Sequence, residues 1–313
     1  MTERLRAPSA PAIRRPGRGF RLAVGATAAS AWALVVVGGV VRISESGLGC
    51  PDWPLCNGRV VPDGQKEPIV EYAHRAAAAV VVVLLVVAAV WAWRHYRSRA
   101  DLTVPLGIAL ALVPVQALLG AIVVWLELPG SLVGVHFMVG MVMLALCTHA
   151  CVVAWRGYGV VSRTFRRSAV AAGVVGLLVV SLGAGVVSAD AEHACGEQWP
   201  GCNGGVASGG DLAILQVVHR SAAYAALALA LALLVLGLRG HARLLVALPP
   251  AALALAQVGL GIGLVLSADG SLQHDLFRIL HVAGAAGLWV AVVVAVSVTI
   301  TPPAGVPHGH STG

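Results

Sequence analysis

Four histidines recur at a fixed spacing along this chain of 313 residues. His74 lies 145 residues before His219, His136 lies 145 residues before His281, and the members of each half are 62 residues apart. Each histidine sits just inside the start of a long apolar stretch, where an ionisable side chain is costly and usually functional. Imidazole is a good ligand for iron, and a haem needs only one or two axial ligands. The spacing therefore predicts two similar haem-sized sites.

Other uses of these histidines fit the pattern less well. A single histidine within a membrane often only bonds to a neighbouring helix, but equal spacing of four argues against that use. Zinc would need further ligands, and no carboxylate or cysteine occupies matching places in both pairs. Arg75, Arg220 and Arg278 lie close to a histidine near helix ends. They could pair with haem propionates, or they could extend to lipid headgroups.

The two halves differ at one informative position. Glu71 lies three residues before His74 on the same helix face, whereas Gln216 stands at the equivalent place before His219. A carboxylate can accept or release a proton and an amide cannot. We therefore predict that the first half carries out chemistry and that the second half binds a fixed cofactor. Alternatively, Glu71 is an interfacial acid that the helix dipole favours.

The composition predicts an all-α integral membrane protein. The chain is 58% hydrophobic and 11% charged, with a mean hydropathy of +0.86. About 20 apolar residues suffice to span a bilayer as a helix. Eight stretches qualify, near residues 21–41, 72–93, 103–125, 132–154, 169–187, 213–237, 244–266 and 276–299.

The basic residues predict the orientation in the membrane. Fifteen of the 21 lysines and arginines fall in the N-terminal arm or in the loops near residues 94–99, 156–167 and 239–243. By the positive-inside rule, both termini and these loops are cytoplasmic, and we expect a multi-pass protein of the plasma membrane. This distribution accounts for the net charge of +7 and argues against binding to nucleic acid.

An internal repeat divides the chain into two tandem, pseudo-symmetric four-helix bundles. Residues 53–58, Trp-Pro-Leu-Cys-Asn-Gly, recur as residues 199–204, Trp-Pro-Gly-Cys-Asn-Gly, and Gln116-x-x-Leu-Gly recurs at Gln257. Even-numbered helices carry all four histidines, so helices 2 and 4, and helices 6 and 8, can bring each pair together. The predicted units are a cytoplasmic arm (1–20), a substrate and catalytic bundle (21–155), a cytoplasmic linker (156–168), a cofactor bundle (169–300) and a disordered cytoplasmic tail (301–313).

Two pairs of cysteines lie in equivalent outer loops. Cys50 with Cys56, and Cys195 with Cys202, can each form a disulfide in an oxidising exterior. We favour bridges that hold each loop as a lid over its site, although redox cycling of the first pair remains an alternative. Cys147 and Cys151, one helical turn apart, are expected to be core residues. His149 is expected to pack between helices, whereas His193 and His274 are expected in outer loops.

Several of these motifs together resemble the haem A synthase family over residues 25–300. They are Gly-Gly-Val-Val-Arg at 38–42, Ser-Gly-Leu-Gly-Cys-Pro-Asp-Trp-Pro-Leu-Cys at 46–56, Glu71-x-x-His74-Arg75, the Cys195–Cys202 loop and His219-Arg220. The resemblance implies an oxidoreductase that converts a ring methyl group of haem O to the formyl group of haem A, for cytochrome c oxidase. Two successive hydroxylations and loss of water are the implied course.

The resemblance also implies roles for the two sites. A haem b cofactor would lie between His219 and His281, and His74, His136 and Glu71 would handle the haem O substrate. Besides membrane lipid, the partners expected are haem O synthase, cytochrome oxidase assembly proteins, and a quinone or another electron donor or acceptor. The alternatives are a dihaem b-type cytochrome that transfers electrons, a haem transporter or chaperone, and a membrane disulfide oxidoreductase.

Overall fold

Eight long helices make up the fold. The computed structural model describes residues 16–155, 161–202, 210–267 and 270–300. Within these ranges the helices are α1 (Arg18–Ile43), α2 (Lys66–His95), α3 (Ala100–Trp125), α4 (Gly130–Trp155), α5 (Arg163–Ser188), α6 (Gly210–Leu238), α7 (Leu244–Leu266) and α8 (Leu272–Ile300). All eight are long and apolar enough to cross a membrane. The predicted all-α, multi-pass membrane fold is confirmed.

Helix boundaries differ from the predicted apolar stretches because polar residues extend most of the helices. The proposed linker at 156–168 is partly helical, since α5 begins at Arg163. The Ser162 hydroxyl accepts the backbone N–H of Phe165 at 3.1 Å and caps the helix there. His274, expected in a loop, lies in the first turn of α8. Residues 156–160, the arm at 1–15 and the tail at 301–313 lie outside the described residues.

The helices form two rings of four. In the first ring α1 contacts α2 and α4, and α3 contacts α2 and α4; α5 to α8 repeat this arrangement. Between the rings, α4 packs on α8, α1 packs on α8, and α4 packs on α5. Exchanging α1 with α5 and α4 with α8 leaves this contact pattern unchanged. The rings are therefore related by a pseudo-two-fold axis, as expected for tandem repeats of four helices in one orientation.

Tight side-chain packing is concentrated at one end of each ring. We call the end that carries Arg18 and Ile300 the terminal face, and the opposite end, with the disulfide loops, the loop face. Phe20, Leu85 and Leu102 are fully buried near the terminal face of the first ring, and Phe165 and Leu233 are fully buried in the second. This packing joins the helices at the terminal face and leaves the loop face for the histidines.

Contact between the rings depends on a glycine of α1. A methyl group placed on Gly39 would lie 2.7 Å from Cγ1 of Val282 on α8. Such overpacking costs about 1–3 kcal/mol. Gly39→Ala should therefore lower the unfolding temperature of the purified protein in detergent.

The matched control for this prediction is Gly107→Ala in α3. A methyl group on Gly107 would meet nothing within 4 Å. Alanine favours a helix over glycine, so this control should leave the unfolding temperature unchanged or raise it. Equal unfolding temperatures for the two variants would contradict the close α1–α8 contact.

Candidate functional site

The four histidines lie on diagonally opposed helices. His74 on α2 faces the position of His136 on α4, and His219 on α6 faces that of His281 on α8. The members of each pair are close enough to interact electrostatically. Among the described residues, α2 and α4 make no helix contact, and neither do α6 and α8. Each pair of imidazoles is therefore separated by the interior of its ring.

The histidines lie deeper than the apolar pattern indicated. Because the even-numbered helices begin before their apolar stretches, each histidine is six to nine residues beyond its helix start. At 1.5 Å per residue, this places them about 9–14 Å along the helix from its loop-face end. Each imidazole therefore lies about two helical turns from the loop-face end of its helix.

The histidine Nδ1 atoms have a shared environment. In all four residues Nδ1 is buried and has no hydrogen-bond partner among the described residues. The ring edge at Cε1 packs in each case against a glycine of the neighbouring odd-numbered helix. The four glycines are Gly38, Gly120, Gly183 and Gly261. The sequence repeat included these glycines but gave no sign that they contact the histidines.

A repeated glutamine supports one histidine of each pair. Nε2 of Gln116 donates to the backbone carbonyl of His136 at 2.9 Å, and Nε2 of Gln257 donates to that of His281 at 3.1 Å. In the first ring the same Gln116 nitrogen also lies 3.3 Å from Nε2 of His136. The Gln-x-x-Leu-Gly repeat therefore joins odd and even helices beside the histidines, a role that the sequence reasoning missed.

These features fit a haem better than a bare metal ion. Within the described ranges, no three His, Cys, Asp or Glu side chains are grouped so as to hold a metal ion. His74 with His136, and His219 with His281, could each supply imidazole nitrogens to a haem iron, which takes one or two ligands from a protein. The two helices that carry each pair make no contact with each other among the described residues. The residues present therefore fit a haem in each ring.

Each pair of cysteines at the loop face forms a disulfide, as predicted. Cys50 is bonded to Cys56, and Cys195 is bonded to Cys202. The first loop is also held by Asp52, whose carboxylate accepts the backbone N–H groups of Asn57 and Gly58. The hydrogen bond from Gly58, followed by that from Asn57, holds the pKa of Asp52 below its ordinary value.

The side chains at 71 and 216 attach these loops to the even-numbered helices. Oε2 of Glu71 accepts the backbone N–H of Cys50 at 2.7 Å, and Oε1 of Gln216 accepts that of Cys195 at 3.0 Å. Both side chains are buried, with 4% and 6% of their residue surface exposed. A carboxylate and an amide thus perform the same structural task in the two halves.

Two arginines make a second set of attachments. Arg75 donates to the carbonyls of Leu55 at 2.7 Å and Cys50 at 2.8 Å. Arg220 donates to the carbonyls of Gly201 at 2.7 Å and Gln198 at 3.0 Å. These arginines therefore reach into the loop backbone. Nη2 of Arg220 remains buried without a partner among the described residues, so it can still receive an anionic group.

The two halves differ in the second partner of the buried side chain at position 71 or 216. Oε1 of Glu71 forms an ion pair with Arg75, which makes a charged pair one turn from His74. In the second half, Nε2 of Gln216 instead donates to the carbonyl of Glu192 at 2.6 Å. In the first site the carboxylate and the guanidinium therefore lie on the histidine's own helix, whereas in the second half Arg278 of α8 pairs with Glu192, a residue of the loop, at 3.5 Å.

The other candidate residues lie at the edges of the second site or away from it. Arg278 on α8 lies 3.5 Å from the carboxylate of Glu192. The rings of His193 and His274 stack with centroids 6.3 Å apart at the loop face. Nδ1 of His149 lies 3.0 Å from Oγ of Ser297, as expected of a residue that packs between helices. Cys147 and Cys151 are not disulfide-bonded, and Cys147 belongs to the core.

The ion pair predicts unequal costs for losing the two arginines. Arg75→Met would leave the buried carboxylate of Glu71 without its cation, a change that typically costs about 3–5 kcal/mol. Arg220→Met would remove only donors to backbone carbonyls, about 1.5–3 kcal/mol for bonds to a charged group. Hydrogen exchange should therefore rise more in residues 49–58 of the first variant than in residues 195–202 of the second.

A compensating variant tests the cause of that difference. Glu71→Gln combined with Arg75→Met removes the unpaired charge, so it should restore part of the protection that Arg75→Met loses. Equal exchange in the single and double variants would contradict a role for the charge pair in holding the loop.

Comparison with known proteins supports the resemblance found in the sequence. The family model described as COX15-CtaA, cytochrome oxidase assembly protein, matches residues 21–68 and 63–293. A protein named haem A synthase from an Exiguobacterium species is 29% identical over 54% of this chain and 58% of its own length. Another of that name, from Halalkalibacterium halodurans, is 29% identical over 55% of this chain and 60% of its own.

A third relative has a different name. A protein named protohaem IX farnesyltransferase, from Halobacterium salinarum, is 32% identical over 126 residues, which are 40% of this chain and 27% of that protein. The chain thus spans about 60% or less of the length of each of these relatives. The family match covers most of the chain and all four histidines, which the fold arranges in two facing pairs. The chain therefore belongs to the COX15-CtaA family of cytochrome oxidase assembly proteins, the family of the haem A synthases.

Proposed function

We propose that this protein is a haem A synthase, an oxidoreductase that converts a ring methyl group of haem O to the formyl group of haem A for cytochrome c oxidase. The main supporting observation is the asymmetry of two otherwise equivalent sites. Both have a facing pair of histidines and a tethered disulfide loop, but only the first has the Glu71–Arg75 pair. Curated relatives named haem A synthase support the same conclusion.

The two rings take different roles in this proposal. His219 and His281 hold haem b in the second ring, and His74 and His136 hold the haem O substrate in the first. Haem b, when bound, supplies a redox centre that exchanges electrons. Arg220, with its unpartnered Nη2, and Arg278 lie where they can neutralise propionates of haem b, and Arg75 can do so for the substrate.

Glu71 connects the loop to the chemistry. Both of its carboxylate oxygens are engaged, one by the N–H of Cys50 and the other by Arg75. A proton taken up at either oxygen weakens the contact made there, so proton transfer at Glu71 also loosens the lid. The disulfide loop excludes water from the substrate while these contacts hold, and the apolar ring positions the methyl group.

Location and partners follow from the same assignment. The protein lies in the plasma membrane with both termini cytoplasmic and the loop face outside, as the basic loops favour. The loop face would then be accessible to a quinone or another electron acceptor or donor, and an acceptor is needed because conversion of a methyl group to a formyl group is an oxidation. The likeness to part of a protohaem IX farnesyltransferase supports haem O synthase as the partner that supplies substrate, and the family description supports cytochrome oxidase assembly proteins as further partners.

Co-expression with a haem O source tests the activity. Cells that contain the full chain should yield haem A when the extracted haems are separated and identified by mass spectrometry. His74→Ala should abolish haem A formation, and the extract should contain unconverted haem O, because the substrate loses a ligand. His95→Ala, an exposed residue at the other end of the same helix, should behave like the parent.

The other outcomes identify the rival functions. Two retained b-type haems with no haem A would indicate an electron-transfer cytochrome. Haem that exchanges readily but is chemically unchanged would indicate a transporter or chaperone. Haem A formed at the parental level by His74→Ala would contradict the assignment of substrate to the first ring.

Glu71→Gln tests whether the carboxylate does more than hold the loop. Glutamine holds the equivalent loop in the second half, so this variant should retain haem b and the protection of residues 49–58. Loss of a general acid or base typically costs about 10²–10⁴-fold in rate. We expect haem A formation to fall by about that factor, and the exposed Glu67→Gln on the same helix to leave it unchanged. If Glu71→Gln formed haem A at the parental rate, the role of Glu71 would be limited to holding the disulfide loop.

A further inference from the structure

Each of the four histidines packs on a glycine at closely similar geometry. A methyl group placed on Gly38 would lie 3.1 Å from Cε1 of His74, and one placed on Gly183 would lie 3.1 Å from Cε1 of His219. The corresponding distance is 3.3 Å for Gly120 with His136. It is 3.6 Å for Gly261 with His281. Carbon atoms pack best about 3.5–4.0 Å apart, so alanine would crowd three of the four rings.

These contacts are specific to the glycines that face a histidine. Gly107 on α3 and Gly259 on α7 belong to the same odd-numbered helices as Gly120 and Gly261. A methyl group on either would meet nothing within 4 Å. The histidine contacts therefore do not follow from glycine content alone, and they recur once on every odd-numbered helix.

The buried Nδ1 atoms indicate that the glycine contacts help to orient the imidazoles. A histidine that binds a metal usually has its other nitrogen held by a hydrogen bond, which fixes the orientation of the ring. Here Nδ1 of each histidine has no such bond among the described residues. The backbone of Gln116 and of Val179, each four residues before the contacting glycine, lies near the rings of His136 and His219 but does not meet the geometry of a hydrogen bond to Nδ1. Packing against the glycine must therefore do much of the orienting.

We propose that Gly183 and Gly38 are positioning residues, which set how the imidazoles of His219 and His74 are presented to a haem. This inference rests on the proposed haem sites. Without a Cβ, the odd-numbered helix admits the ring edge close to its backbone: the place that a Cβ would take lies 3.6 Å from Nδ1 and 3.9 Å from Nε2 of His74, and 3.6 Å and 3.8 Å from the same atoms of His219. A Cβ at this place pushes the ring away by a few tenths of an ångström and alters any bond formed at Nε2.

The distances also predict a gradient between the members of each pair. His219 is packed against its glycine more tightly than His281, and His74 more tightly than His136. Alanine at 183 must displace a ring, whereas alanine at 261 makes an ordinary contact. Gly183 and Gly261 thus form a matched pair of test positions within one ring.

The experiment uses the full chain, purified with haem b from cells. Gly183→Ala, Gly261→Ala and the parent are compared by haem b per chain, by the low-spin ferric signals in electron paramagnetic resonance, and by unfolding temperature. Alanine favours the helix, so both variants should fold. We expect Gly183→Ala to shift the low-spin signal or convert part of it to high spin, and to lower haem b per chain at least twofold. Gly261→Ala should match the parent in each measurement.

Contrary results separate this inference from the function on which it rests. A folded, haem-loaded Gly183→Ala whose spectrum equals that of the parent would overturn the positioning role alone. Equal spectral shifts in both variants would also overturn it, because the contact distances predict a difference. A parent that binds no haem b would overturn both this inference and the proposed second site. Gly259→Ala, which adds a methyl group in open space on α7, controls for general effects of alanine.

Discussion

Two imidazoles can face each other inside a bundle only if the helices that carry them remain apart. In lipid, those helices must also form all of their backbone hydrogen bonds internally. They must keep their positions although no continuous core lies between them. Here α2 and α4, and α6 and α8, are held by their odd-numbered neighbours and do not contact each other within the described residues. Large buried side chains join the helices near the terminal face, and small residues and glutamines line the sites nearer the loop face.

The two loops share one scaffold but are held by different side chains, Glu71 in the first half and Gln216 in the second. Each loop has a disulfide, a buried side chain that accepts the N–H of its first cysteine, and an arginine that donates to its carbonyls. A glutamine is sufficient for the structural part of this arrangement. The carboxylate of Glu71 therefore adds charge and proton-transfer capacity to a position that the fold needs in either form. Its pairing with Arg75 reduces the cost of that charge in a buried place.

The sequence was sufficient to predict the eight helices and both disulfides. A long apolar run is a local signal. It is decisive in lipid because a spanning segment must satisfy its own backbone hydrogen bonds, which a helix does. Helix ends were less predictable: α5 begins at Arg163 because Ser162 caps it, although charged residues follow. Arg75 and Arg220 were predicted to pair with propionates or to extend to lipid headgroups. The structure adds contacts of both guanidinium groups with loop carbonyls, which the sequence does not reveal because they depend on how each loop folds.

The glycine contacts lay beyond sequence reasoning for a geometric reason. Gly38 and His74 are 36 residues apart, and so are Gly183 and His219, on helices whose relative rotation sets the contact. A repeat can indicate that such residues are equivalent, but not that they touch. The glutamines at 116 and 257 are a similar case, because their bonds to histidine carbonyls depend on the α3–α4 and α7–α8 packing.

In the proposed function, His219 and His281 hold the resident haem b, and His74 and His136 hold the substrate. The most direct measurement is the amount of haem b per chain, determined for purified protein in which each pair is replaced by alanine in turn. Replacement of His219 and His281 should remove haem b, whereas replacement of His74 and His136 should leave it bound. Haem b retained after loss of His219 and His281, or lost equally from both variants, would contradict the account.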